Sequence, residues 1–489
     1  MNLFIVLFAV YLIGMIVLAF KAKSKTTSTE SFSVVKVQKP WVIALTFAGT
    51  FMCGATFVGV PAQYYTNGLS NLWYQISQWF PCVIALCIVA PAFQKMSEKL
   101  GTLTVSEWIG KRYDSSFLKV LTALASLSQI FYIASQLVIC GIVFSQVLGW
   151  SYTTGVIVCG CILTFYLTLG GTYAHVYINT AQGIIMCCAV LFLVLSGFYF
   201  FGNIFDTIPA QLAAQSTDLI QPLSTTSVTH GSWLAVLGFF LQHLVWVLNP
   251  QLMKEVQCLK SQREMKKFVL FTGLFLFIVS MMQLTGLYAR VVLGGSVANA
   301  DDVIPIYLQT VYPKALAAVL CVVIMAAVMS TADGIMCYLA TIMGDTLYRR
   351  TLVPYLREHG HTISEKKADK VSFNICRFGV IFIGLLAIPL ALRRPPSQVY
   401  MITISGAVLL GCICGPIACG LFCKRTSKLA AILGSIGGMV CFCIFYFGNV
   451  IPQLYLMNGM CGVMSILLTL LFSYLLPPMD PIYIKKILE

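Results

Sequence analysis

Apolar residues run through this chain in helix-length blocks separated by short polar stretches. About thirteen blocks are long enough to cross a bilayer, near residues 3–20, 41–63, 71–94, 120–148, 152–169, 175–201, 233–253, 268–289, 315–347, 371–392, 398–422, 430–448 and 455–476. Strand-type alternation is absent from them, so the pattern predicts an all-α polytopic membrane protein. The first block, Leu3 to Phe20, has no basic residue ahead of it and no small-residue cleavage site, and Lys21, Lys23 and Lys25 follow it. It reads as a retained span.

Two blocks carry interruptions. The second contains Gly49, Gly54 and Gly59, five residues apart in mid-span, and the seventh contains Gln242, His243, Trp246, Asn249 and Pro250. Glycine and proline let a helix break, and broken backbone is tolerated at membrane depth where it lines a cavity or is covered by protein. Close packing through small residues is the alternative for the glycines. The second span opens one five-span block and the seventh opens another. An odd-numbered block inverts when repeated, so the pattern predicts an inverted repeat with a site between the broken helices. The expected organisation is a single transmembrane domain over 1–489. Span one lies at 3–20, repeat one at about 41–201, repeat two at about 233–422, extra spans at about 430–476 and a tail at 477–489.

Composition agrees. Of 489 residues, 59% are hydrophobic and 10% charged, and the mean hydropathy is +0.87, outside the range of soluble domains. The 19 cysteines lie mostly inside apolar runs, without metal-ligand or secreted-framework spacing, and read as small hydrophobes. A net charge of +14 raises nucleic acid as a partner, but its distribution excludes that reading. With the N-terminus outside, 27 of the 31 Lys and Arg fall on the inner side, and only Arg290, Lys314, Arg393 and Arg394 fall outside. This is the positive-inside signature of a multi-pass protein with its C-terminus in the cytoplasm, in a plasma or bacterial inner membrane.

The ninth span carries the candidate chemistry. Ala327, Ser330 and Thr331 stand at i, i+3 and i+4, which stacks two hydroxyls on one helix face, and Asp333 follows. Polar groups at that depth need a partner. A small hard cation suits such oxygens, and hydroxyls bonded back to their own helix are the alternative. The solute cavity is expected from Thr50, Cys53, Thr56, Gln78, Tyr132, Gln136, Gln242, His243, Trp246 and Asn249. That set has no fixed carboxylate. It disfavours a cation and suits an anion or zwitterion whose carboxylate meets the N–H groups of a half-helix. Paired carboxylates, metal-spaced histidines and nucleotide loops are lacking, which argues against a membrane enzyme. His175 and His243 read as isolated, structural histidines. A channel or sensor built on a transporter fold remains the other alternative.

Gly170-Gly171 closing the fifth span, a polar residue eight positions later at Asn179, Phe57-Val58-Gly59 after the second break, and Ala327-Val-Met-Ser330-Thr331 together resemble the sodium:solute symporter family. Leu287-Tyr-Ala-Arg-Val-Val292, Asp302-Val-Ile-Pro305 and Pro395-Pro396 are most similar to its pantothenate branch. The resemblance implies a LeuT-type fold and sodium-coupled import of a small polar, carboxylate-bearing solute such as pantothenate, proline or a monocarboxylate. It also implies a sodium site from the carbonyls of Gly49, Met52 and Ala327 and the hydroxyls of Ser330 and Thr331. The partners are then sodium, a small solute and the bilayer. Many family members have an aspartate where this chain has Asn179, near the ion exit path, and Asp333 is a candidate replacement for that charge. Gly334 lacks the hydroxyl that supports a second sodium site in some relatives.

Overall fold

Serine hydroxyls set many of the helix starts. Ser151, Ser232, Ser261, Ser364 and Ser427 each stand at an N-cap and accept a backbone N–H three residues on. Such a cap satisfies a donor that the helix leaves orphaned, at a typical gain of about 1 kcal/mol. A computed structural model of the chain describes residues 2–35, 39–227, 229–394 and 398–488, and these contain helices and no strand. The Pro395-Pro396 pair lies outside the described residues.

Among the described residues, ten helices are long and apolar enough to cross a membrane, or eleven with the bent pair Trp233–Trp246 and Pro250–Val256 counted as one span. Two pairs of the expected spans each share one of these helices: Ala55–Leu100 carries the end of the second with the third, and Tyr152–Phe201 carries the fifth with the sixth. Tyr152–Phe201 has 50 residues, about 75 Å of helix and far more than a bilayer needs. It divides at Gly171, where φ is 50° and ψ −142°. A Cβ there would meet the Phe32 ring at 2.6 Å, so the turn requires glycine.

Both expected breaks are present. Pro40–Phe51 ends at Met52 (φ −85°, ψ 83°), and a wide-turn segment Ala55–Gly59 leads into Val60–Asn67. The halves of the seventh span meet at 48° across 247–249. Pro250 starts the second half, where its missing N–H costs no hydrogen bond.

The two five-span blocks exchange partners. Pro40–Phe51 of the second span packs on Gln262–Ser280 of the eighth, and Trp233–Trp246 of the seventh packs on Leu72–Leu100 of the third. Matching ring contacts mark the exchange: Phe47 meets Phe268 edge-on at 5.6 Å, and Tyr74 meets Phe239 edge-on at 5.4 Å. The ninth span runs unbroken from Lys314 to Thr341. It is central, with 78% of its apolar window buried against 22% for the first span, which lies at the lipid edge. Lys428–Phe447 and Leu454–Leu475 pack on the eleventh span, Val399–Phe422. The connections around 24–35, 101–115, 257–261, 359–364 and 423–427 meet at one end of the bundle, here called the basic face: Glu30, Gly101, Lys260 and Arg349 line one cleft, Thr29 bonds Asp369 O and Arg112 bonds Cys423 O.

Candidate functional site

The break in the second span brings the last carbonyls of Pro40–Phe51 against the middle of the ninth. Ser330 Oγ is 2.9 Å from Gly49 O and 2.8 Å from Ala327 O, and Thr331 Oγ1 is 3.3 Å from Gly49 O and 3.2 Å from Thr50 O. Five oxygens therefore converge, all buried, with two hydroxyl protons to share. The surplus of lone pairs fits a small cation. Ser330 bonds back to its own helix and also reaches across, whereas Thr331 reaches only across. Thr50 supplies the second cross-span carbonyl, and Met52 stands at the break itself. Asn179 Nδ2 donates to Ser330 O at 3.2 Å and to Thr50 Oγ1 at 3.3 Å. Its Oδ1 is buried with no hydrogen-bond partner.

Closeness at the break depends on Gly54. A Cβ there would lie 2.8 Å from Val328 Cγ2 and 2.9 Å from Gln136 Oε1, with Ile139 Cδ1 closer still. The Gly54 N–H instead donates to Gln136 Oε1 at 3.0 Å. Gln136 thus caps the broken helix and is turned away from the cavity.

Beside the break lies a cavity of about 30 Å³, the share of one water molecule. Cys53, Thr56, Gln78, Tyr132, Gln242, His243 and Trp246 all line it; Thr50, Gln136 and Asn249 do not. Asn249 Oδ1 accepts from Gln129 Nε2 at 2.7 Å. Sequence reasoning missed Tyr74, Val399, Ile402, Thr403 and Tyr455, which also line the cavity. The spacing of Val399, Ile402 and Thr403, with one hydroxyl in an apolar span, was the available signal. The lining carries no carboxylate, ammonium or guanidinium. Gln242 Oε1 is buried there without a partner. His243 Nδ1 is 2.9 Å from Phe239 O and 3.1 Å from Ser77 Oγ. The carbonyl only accepts, so Nδ1 carries a proton.

Neither histidine is isolated, contrary to expectation. His175 lies between two acids, with Nδ1 2.7 Å from Asp333 Oδ1 and Nε2 3.1 Å from Glu255 Oε1. Asp333 itself is fully buried. These partners are 158 and 80 residues away along the chain, beyond the reach of any local pattern.

An inverted pair of broken-helix blocks around a central span defines a multi-pass membrane carrier. Residues 37–438 match the model of the sodium:solute symporter family, and the chain belongs to that family. Its members are sodium-coupled transporters, not enzymes. The chain is 24% identical over 409 residues to the high-affinity proline transporter PutP of Bacillus subtilis (strain 168), with 82% of each covered. It is 23% identical over 470 residues to the sodium/pantothenate symporter of Haemophilus influenzae, covering 93% of this chain and 94% of that one. The substrate-bound, outward-open structure of a Na+-coupled sialic acid symporter superposes with a TM-score of 0.77 at 15% identity, covering 97% and 98%. The fold is accordingly LeuT-type.

Proposed function

We propose that this carrier imports a small, polar, carboxylate-bearing solute together with sodium by alternating access, from an outside N-terminus to a cytoplasmic basic face. The observation that carries the reading is the approach of the Ser330 and Thr331 hydroxyls to the end carbonyls of the broken second span. Sodium at these oxygens would tie the second span to the ninth, so its arrival and departure would favour different arrangements of the two. Gly49, Met52, Ala327, Ser330 and Thr331 are the proposed ligands, with the Thr50 carbonyl beside them. Asn179 is placed to meet the ion as it leaves.

The solute reading rests on the cavity. Its lining is uncharged, so a cationic solute would be unpaired in it. Ala55 and Thr56 open the outer half of the second span at the cavity wall, and a helix start favours a carboxylate. At 30 Å³ the cavity is contracted, and a solute enters by moving its walls. The test is uptake of labelled pantothenate, proline, short monocarboxylates and sialic acid into proteoliposomes after a sodium jump. At least one should accumulate above its outside concentration only while the sodium gradient lasts. Equilibration without accumulation would identify a channel and overturn coupling.

A further inference from the structure

The half of the molecule nearer the basic face buries a charged cluster that neither the sodium oxygens nor the solute cavity uses. His175 belongs to the sixth span, Asp333 to the ninth, and Glu255 to the short segment after the break in the seventh. Their side chains are 1%, 0% and 2% exposed, too buried for water to mediate between them. Tyr166 OH donates to Asp333 Oδ2 at 3.3 Å, and buried Lys254 donates to Thr172 Oγ1 at 2.8 Å. Among the described residues, Cys337 on the ninth span, Tyr11 of the first and Cys376 of the tenth are the remaining titratable groups that face the cluster, Cys376 from the Lys254 side.

Proton counting decides the state of the ring. A carboxylate only accepts, and a neutral imidazole has one N–H. With one N–H, the bare nitrogen would face a carboxylate oxygen, lone pair to lone pair, about 3 Å away in a dry site. With Asp333 and Glu255 both ionised, both contacts are hydrogen bonds only when Nδ1 and Nε2 each carry a proton. Charge balance agrees: imidazolium and the Lys254 ammonium offset the Asp333 and Glu255 carboxylates, and removing the ring proton leaves a buried net negative charge.

We propose that His175 is a proton-binding site, separate from the sodium site, that fastens the basic-face end of the seventh span to the ninth only while its ring is doubly protonated. The two contacts are unequal. Asp333 keeps a second partner in Tyr166, whereas Glu255 Oε2 has none. Glu255 is therefore the member that leaves. It sits on a seven-residue helix, Pro250–Val256, hinged at the break. A 490 Å³ cleft on the basic face is lined by Gln257, Cys258, Leu259 and Lys260, so water begins two residues beyond it. On release, the Nε2 proton passes to cleft water, the ring stays neutral with Nδ1–H on Asp333, and the Glu255 carboxylate separates to be hydrated. Closure reverses each step. The proposal relies on the transporter reading only in calling this movement a gate.

Hydrogen exchange of the purified full-length protein in nanodiscs, with neither sodium nor solute, tests the proposal without any transport assay. The readout is protection of residues 250–261 between about pH 6 and pH 9, corrected for the intrinsic pH dependence of exchange, with the twelfth span as reference. Wild type should lose about tenfold or more of its protection as the pH rises. His175→Gln cannot donate to both acids and should show the low protection at every pH. Glu255→Gln brings an amide N–H that donates to a bare Nε2, so it should stay protected throughout. Protection in wild type that ignores pH overturns the proposal, and so does a Glu255→Gln protein that loosens as wild type does. Those two proteins decide the matter even if His175→Gln fails to fold.

Discussion

At the scale of single residues, Asn179 and His230 give the sharpest expectations. Asn179 donates to the Ser330 carbonyl and the Thr50 hydroxyl. An aspartate there loses both N–H donors and faces the carbonyl with a negative charge, an arrangement that a cation between them would relieve. Asn179→Asp should lower the sodium concentration for half-maximal uptake by about fivefold or more, the effect of roughly 1 kcal/mol, and leave the range of solutes alone. A sodium titration beside a competition panel checks both, and the reverse pattern would place the residue with the cavity. His230 lies in the 202–232 connection. Its Nδ1 accepts from Thr229 Oγ1 at 2.7 Å and Asn67 Nδ2 at 3.3 Å, while Nε2 donates to Asn71 Oδ1. Burial pushes its pKa from 6.5 down to about 4. A histidine depressed in this way contributes stability that is full above its unfolded value and is lost as the pH falls from about 6.5 through 4. Limited proteolysis of this connection should therefore speed up between pH 6 and pH 4. His230→Asn, which has no proton to gain, should show a flat profile.

At the scale of elements, the break in the second span is set by which glycine meets a neighbour. Gly54→Ala forces a methyl against Val328, Gln136 and Ile139, and overpacking of this kind typically costs about 1–3 kcal/mol. Gly49→Ala meets only the flexible Met186 Cε at 3.5 Å, in a helix that favours alanine. Thermal unfolding of the purified variants should show a clear loss for Gly54→Ala and little change for Gly49→Ala. Equal losses would mean that both glycines serve helix packing alone. The breaks at 52–54 and 247–249 were legible because glycine, proline and polar interruptions act locally. The hydroxyl pair was legible because helical spacing puts 327, 330 and 331 on one face. Rotation of side chains beside a break was not, and so Thr50, Gln136 and Asn249 turn to partners other than the cavity. The wall contributed by Tyr455, and the acids around His175, depend on contacts between distant spans that no periodicity encodes.

At the scale of the whole molecule, the charge asymmetry argues for orientation, although not every charge counted there is solvated. Lys254 is buried, and Arg112 is buried with Nε donating to Gly420 O at 2.8 Å, so these two are built into the protein. Without these two, the count along the sequence is still 25 against four. Single-cysteine labelling in a cysteine-depleted background should reach 349–370 only from the cytoplasm and 202–232 only from outside, and labelling of the first from outside would reverse the topology. The central claim is that sodium couples to transport through the oxygens joining the second and ninth spans. Sodium titrations of uptake by wild type, Thr331→Ala and Thr331→Ser at matched surface expression test it most directly. Thr331 makes only cross-span contacts, so losing an oxygen contact worth about 1–3 kcal/mol should raise the half-maximal sodium concentration about 5- to 150-fold in Thr331→Ala. Saturating sodium should restore part of the weakened solute affinity, and Thr331→Ser, which keeps the oxygen, should stay near wild type. Three superimposed curves would contradict the account.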